Sequence, residues 1–442
     1  MHKKSLSRWW LVLGCWSIAL AGLFSLVLVV SRTPQLKTLP WMQRLFHEAL
    51  VVHVDLSVLV WFLAIACLLW SLMVQGARQI VPWLEEAALL CMGAGMALLT
   101  LSPLDPAAEA MMSNYIPVIH SPVFFLGLSL IFCSVAFMLV KAFTSSPNDM
   151  FSRSLRLALQ SAAFITLISL CAFIWSYTQM PSVIEGTQYY EIVFWGGGHV
   201  LQFTHTQILL VCWWLMMAAL VKKFNVRPWL FYVLIGAGLL AALASPLGYR
   251  HEVTSSEHRN FFTQLMIGIN GHAGALFLLL CMVPFWKART ERKGPNRALW
   301  SSLLMSGILY LYGGVLGLMI QGQNVVIPAH YHGSIVGITL AFMGLAYLLF
   351  PQLGYKHVAG WKLAYWQPIV YGVGQLMHIS GLAYSGGYGV LRKTPGGMDD
   401  LAPTVKAALG FMGLGGLIAI IGGLMFVIVA WKALYTRHCE ER

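Results

Sequence analysis

Two imidazoles stand one residue apart at the head of a long apolar run, "NVVIPAHYHGSIVGITLAFMGLAYLLF" (Asn324–Phe350). On a helix such residues are separated by about 200°, so His330 and His332 face nearly opposite sides and serve different atoms. Neutral imidazole is the commonest side chain for holding transition metals and haem iron. His53, His199 and His251 lie at the ends of other apolar runs. An ionisable residue within a membrane segment is a functional-site candidate in its own right. The His330/His332 pair reads as one helix carrying two axial ligands, one for a haem on each face. His53 can complete a bis-histidine site on one of them, and His199 with His251 can hold a third metal beside the other.

The elements that must position these groups follow from composition. The 442-residue chain is 58% hydrophobic and 10% charged, with a mean hydropathy of +0.72. Soluble domains carry about a quarter charged residues, so this is a polytopic membrane protein. Apolar runs long enough to span fall near 9–31, 51–75, 80–102, 118–142, 157–179, 192–221, 228–249, 261–286, 299–321, 329–351, 364–386 and 407–433. The expectation is an all-α bundle of 12 transmembrane helices, residues 1–442 forming one membrane domain with both termini on one side. The opening run, too long and without a small-residue cleavage site, reads as the first span rather than a signal peptide.

Of the 28 Lys and Arg, 20 fall on the side of the termini and eight on the other, which makes the termini cytoplasmic. That bias accounts for the formal net charge of +12 without nucleic acid. Seven of the 8 Cys lie inside apolar runs, and no pair has metal-ligand or haem-attachment spacing. Covalently held c-type haem is therefore not expected. No connection exceeds about 20 residues and no soluble redox domain is visible, so a partner must supply any relay outside the membrane. In this topology helices 2, 6 and 10 run inward and helix 7 outward, which sets His53, His199, His251, His330 and His332 at one depth near the outer boundary.

At this point the residues resemble the catalytic subunit of the haem–copper oxidase and nitric oxide reductase superfamily, over nearly the whole chain. The resemblance implies that His53 in "HVDLSVLVW" and His332 ligate a low-spin haem, and His330 in "PAHYHG" a high-spin haem. It further implies a second metal, copper or non-haem iron, held by His199 in "FWGGGHVLQF" and by a pair of histidines where "SPLGYRHEV" stands. Arg392 and Lys393 in "GVLRKTPGG" fall where a basic pair meets the haem propionates. An outer-side donor subunit, cytochrome c or cupredoxin-like, is implied, in a bacterial or archaeal cytoplasmic membrane.

Two departures bear on the substrate. Arg250 occupies a ligand position, and a guanidinium has no lone pair to give. The ion would then rest on His199 and His251 with Glu252, Tyr249 or a small ligand, or be weakly held or absent, with Arg250 supplying its charge. Phe203 stands four residues after His199, where oxygen-reducing members carry a redox tyrosine. Nitric oxide reduction (2 NO, two electrons and two protons to N2O and water) has no such requirement, and Gln202 can hydrogen-bond to a bound ligand. The expected function is therefore nitric oxide reduction. Oxygen reduction to water is the second reading, and a haem-binding membrane protein without turnover the third. His205 and His272 read as buried structural histidines, while His258 and His378 read as end, loop or unpartnered residues. Glu85 and Glu86 read as interfacial charges, with protons entering from outside near Glu191, Glu252 and Glu257.

Overall fold

The computed structural model describes residues 6–31, 39–75, 81–222, 224, 226–321, 324–387 and 402–435. Among them, eleven helices are long and apolar enough to cross a membrane. They are α1 (Ser7–Val30), α2 (Pro40–Met73), α3 (Leu84–Leu104), α4 (Pro122–Thr144), α5 (Arg153–Thr178), α6 (Gly186–Leu220), α7 (Pro228–Arg250), α8 (Ser256–Thr290), α9 (Arg297–Leu318), α10 (Val326–Gln352) and α12 (Pro403–Tyr435). Between the last two runs α11 (Lys362–Gly387), whose 26 residues suffice to span although Gln367, Gln375, His378 and Ser385 make it more polar. The elements thus follow the twelve apolar runs in order. Hydrocarbon offers no hydrogen-bond partner, and only a helix satisfies each backbone group within its own segment.

Two helices begin well before their apolar stretch. Helix α2 starts at Pro40 rather than near 51, and α6 at Gly186 rather than near 192. Proline suits the first helical position. The segment "PWMQRLFHEAL" then continues the helix in mixed polarity, with Arg44 Nε bonded to Glu48 Oε1 at 2.6 Å one turn on. His53 and His199 accordingly sit more than three turns inside their helices rather than opening them. Just past His53, α2 widens into a π-turn at Asp55–Val60. The sequence also gave no sign of a hairpin, β1 (Glu109–Met111) against β2 (Val118–His120), whose three-residue strands are too short to show a period.

The chain divides into two compact units. The first comprises Met1–Val211 with Val226–Phe277, the second Cys212–Asn225 with Leu278–Arg442. In the first, the C-terminal half of α2 from Trp61 to Met73 is buried on every side. Gly95 and Gly127 let α3 and α4 touch backbone to backbone, since a Cβ at either would strike the other's carbonyl. Glu85 belongs to this interior instead of an interface: it is 3% exposed and paired with buried Lys141. Ser71 also donates to that carboxylate, as does Trp10 Nε1 at 3.2 Å. Glu86, the next residue, is exposed. In the second unit Trp213 Nε1 donates to Ser306 Oγ at 2.9 Å, and Tyr347 Oη to Gln367 Oε1 at 2.9 Å.

Candidate functional site

In the first unit His199 lies on the buried face of α6, directly after three consecutive glycines. Each glycine leaves room for a ring: a Cβ on Gly196 would meet the Tyr249 hydroxyl, on Gly197 the Phe173 ring, and on Gly198 the Tyr115 ring. The imidazole of His199 is thereby ringed by aromatics. Its centroid is 4.8 Å from Tyr115, 4.7 Å from Trp195 and 5.9 Å from Phe262. Its Nδ1 donates to Trp195 O at 2.8 Å, which leaves the Nε2 lone pair for another atom.

Phe262 joins this group to a second buried histidine, His258, with centroids 5.0 Å apart. Ser255 caps the start of α8 by accepting from His258 N at 3.1 Å, which fixes where the side chain enters the bundle. His258 Nδ1 donates to Gly248 O at 3.0 Å, and its Nε2 is buried with no hydrogen-bond partner. Tyr249 packs edge-on against His258 at 5.0 Å and stacks on Trp175 at 4.7 Å. Its hydroxyl donates to Ala172 O at 2.8 Å, with Ser176 Oγ at 2.9 Å.

The sequence-expected residues divide around this cluster. His199 and Tyr249 belong to it, and Gln202 lies half-buried one turn along α6. His251, Arg250 and Glu252 are exposed. It is His258, which the sequence suggests is an end or loop residue, that is buried beside the ring cluster. Phe203 is 1% exposed and packs with Ile165, Val200, Ala241, Ala242 and Phe262. Among the described residues no group of three or more His, Cys, Asp or Glu is placed to hold a metal ion.

Tyr115 was missed altogether. The loop carrying it is held to α6 by Glu191, whose carboxylate accepts from Asn114 N at 2.8 Å and from Asn114 Nδ2. Burial first, and then the nearby Glu191 charge, push the Tyr115 phenol well above its usual pKa, so its O–H persists at working pH. The run of three glycines was the available signal, because such a run on a helix invites large groups to its backbone.

His53, also in the first unit, has Nδ1 bonded to Ala21 O of α1 at 2.8 Å. Asp55, at the start of the π-turn, is buried with neither carboxyl oxygen hydrogen-bonded.

In the second unit His330 Nδ1 donates to Gly313 O of α9 at 2.7 Å, and Gly317 provides the space its ring fills. His332 Nδ1 donates to Pro328 O at 2.8 Å. His378 of α11, another residue set aside in the sequence, lies 5.4 Å from His332 between ring centroids and bonds Met412 O at 3.1 Å. Arg392 and Lys393 lie outside the described residues.

A carbonyl only accepts, so each of these contacts places the proton on Nδ1 and leaves the lone pair of the neutral ring on Nε2, the atom that would ligate a metal. Those on His53, His258, His330 and His378 reach a carbonyl more than one turn away in sequence, a tertiary constraint on ring orientation. The imidazoles at 53, 199 and 330 therefore fit haem or metal ligation on their own geometry.

No family model matches the chain. It is 31% identical to the uncharacterized protein RP382 of Rickettsia prowazekii (strain Madrid E), over 98% of this chain and 97% of that one. It is 27% identical to an uncharacterized protein of Aquifex aeolicus (strain VF5), over 79% of this chain and 86% of that one. Among solved structures it is similar to a heme-copper terminal oxidase dimer determined by cryo-EM. The TM-score is 0.71 at 15% identity, covering 97% of this chain and 84% of the other. The chain therefore belongs to the family of the Rickettsia protein, and its fold is that of a heme-copper terminal oxidase.

Proposed function

We propose that the protein is a membrane haem enzyme that reduces nitric oxide to nitrous oxide. Its donor would be an outer-side subunit, in a cytoplasmic membrane with the termini inside. The observation that carries the haem reading is the fixed tautomer of the ligand candidates: the Nδ1 bonds of His53, His330 and His332 to Ala21, Gly313 and Pro328 carbonyls hold imidazoles in the form that binds iron. Following the resemblance, His53 and His332 would hold a low-spin haem and His330 a high-spin one. Bound haem would supply one-electron transfer and an open iron position for a gas.

Phe203 turns the choice of substrate towards nitric oxide. It is an inert ring sealed in an apolar cluster, where an electron- and proton-donating tyrosine would serve cleavage of O2. Following the resemblance, His199 would belong to a second-metal site, with the buried His258 in the same ring cluster and Gln202 one turn along α6. A second metal would find two imidazoles in this buried set, short of the three protein ligands usual at a catalytic site. Tyr249 and the Ser176 hydroxyl share a hydrogen bond beside His258 and would relay protons to the buried histidines. The exposed Arg250 and Glu252 adjoin Tyr249 in the chain and would admit those protons.

Oxygen reduction is the second reading, and Tyr115 favours it: its phenol packs on His199, so a tyrosine is available from outside α6.

The haem assignment is tested by the spectra of purified variants. His53→Ala is expected to remove the low-spin signature and retain the high-spin one, and His330→Ala the reverse. A low-spin spectrum that persists in His53→Ala rejects the ligand assignment.

A further inference from the structure

Five cations of the second unit surround one cavity of about 760 Å³ that opens to solvent at a single end of the bundle. Arg289 comes from the end of α8, Arg292 and Lys293 from the link to α9, Arg297 from the first residue of α9, and Lys362 from the first residue of α11. Among the described side chains, which do not include that of Glu291, none of the five is ion-paired with a carboxylate. Scattered basic residues at helix ends would satisfy the positive-inside bias equally well. Convergence on one concavity is a further feature, and it concentrates positive potential.

The arginines are also held in place. The Arg292 guanidinium lies over the Trp300 ring at 5.4 Å and its Nε donates to Arg289 O at 3.1 Å. Arg289 lies over Trp286 at 5.6 Å, and Arg297 Nε donates to Gly360 O at 2.6 Å. Fixed guanidinium groups lose little entropy on binding an anion, and their fork geometry suits phosphate. The amino ends of α9 and α11 add their dipoles in the same sense.

The surroundings indicate where the phosphate comes from. Trp286 is 67% exposed and Trp366, on the cavity wall, is 53% exposed. Exposed tryptophans of this kind sit at headgroup level. Above Trp286 the outer face of α8 continues with exposed Leu279, Met282 and Val283, a surface for acyl chains. We infer that this cavity is a binding site for the phosphate headgroup of an anionic phospholipid, whose chains lie along α8. The inference is independent of the gas the enzyme reduces.

The test uses the purified full-length protein with its co-purifying subunits, delipidated in detergent. Phosphatidylglycerol, phosphatidylcholine and inorganic phosphate are added separately, with retained lipid read by native mass spectrometry and stability by thermal denaturation. Phosphatidylglycerol is expected to be retained and to raise Tm, at least tenfold more effectively than phosphatidylcholine.

The triple variant Arg289→Gln/Arg292→Gln/Lys293→Gln is expected to weaken retention by about a hundredfold, at about fivefold per cation, with haem spectra unchanged. If the triple variant does not fold, Lys293→Gln and Lys362→Gln singly are expected to weaken it about fivefold each. Lys432→Gln, a cation outside the cavity, is expected to bind as the parent does. Unchanged retention in the cavity variants, an equal loss in Lys432→Gln, or equal stabilisation by phosphatidylcholine or by inorganic phosphate would overturn the inference.

Discussion

The phenol of Tyr115 packs on the imidazole of His199, ring centroids 4.8 Å apart and planes inclined by 51°. A loop outside the spanning helices thus reaches the first turn after the glycine run of α6, the position where the substrate reading is decided. Tyr115→Phe keeps the packing and deletes only the O–H. Nitric oxide turnover is expected to change by less than about threefold, under 1 kcal/mol in the barrier. A drop of more than about tenfold would show that the phenol takes part in the chemistry.

Burial predicts opposite outcomes for two neighbouring histidines. His258→Ala removes a buried imidazole beside the His199 cluster and is expected to abolish most turnover while both haem spectra survive. His251→Ala alters an exposed residue and is expected to act only modestly. Stopped-flow turnover of the two purified variants checks this. Normal activity in His258→Ala, with activity lost in His251→Ala, would return the site to the arrangement suggested by sequence spacing.

The Glu85–Lys141 pair is a structural test. Lys141→Met leaves a carboxylate buried among Trp10, Ser71 and apolar side chains, and is expected to cost about 3–5 kcal/mol. The double variant Glu85→Gln/Lys141→Met is expected to recover most of that loss, because no unpaired charge is left behind. Denaturation of the detergent-solubilised variants measures both, and additive losses would contradict the pairing.

Beside the hairpin, the Ser121 hydroxyl donates to Asp105 at 2.6 Å. That bond, with Ala107 N–H and the Arg44 charge, holds the Asp105 carboxyl below its usual pKa of 3.8. A depressed folded-state pKa contributes stability that is present above the usual value and is lost as pH falls through the folded value. Proteolysis within 105–121 is therefore expected to be slow at neutral pH and to accelerate below about pH 4. Asp105→Asn should be cleaved faster at neutral pH and show a weaker acid response.

Much of this was legible in the chain. Twelve apolar runs gave the helices in order, because a hydrocarbon solvent forces one secondary structure on each of them. Spacing alone separated His330 from His332, and the structure gives their rings different carbonyl anchors. The failures arose where position depends on tertiary contacts. Hydropathy ended α2 and α6 at the limit of their apolar cores, although Pro40 and the Arg44–Glu48 pair carry helix further. His258 looked like a loop residue because its burial depends on Ser255 capping α8 and on Phe262 beside it. Tyr115 lies 84 positions from His199, and nothing local pairs them except the glycines that admit its ring.

The most direct test of the account is consumption of NO and O2, measured side by side. The sample is the purified chain with its co-purifying subunits, driven by a reduced artificial donor. NO is expected to disappear with stoichiometric appearance of N2O while O2 is barely consumed. Rapid reduction of O2 to water, with NO untouched or merely inhibitory, would contradict it and would assign to Tyr115 the part that Phe203 cannot play.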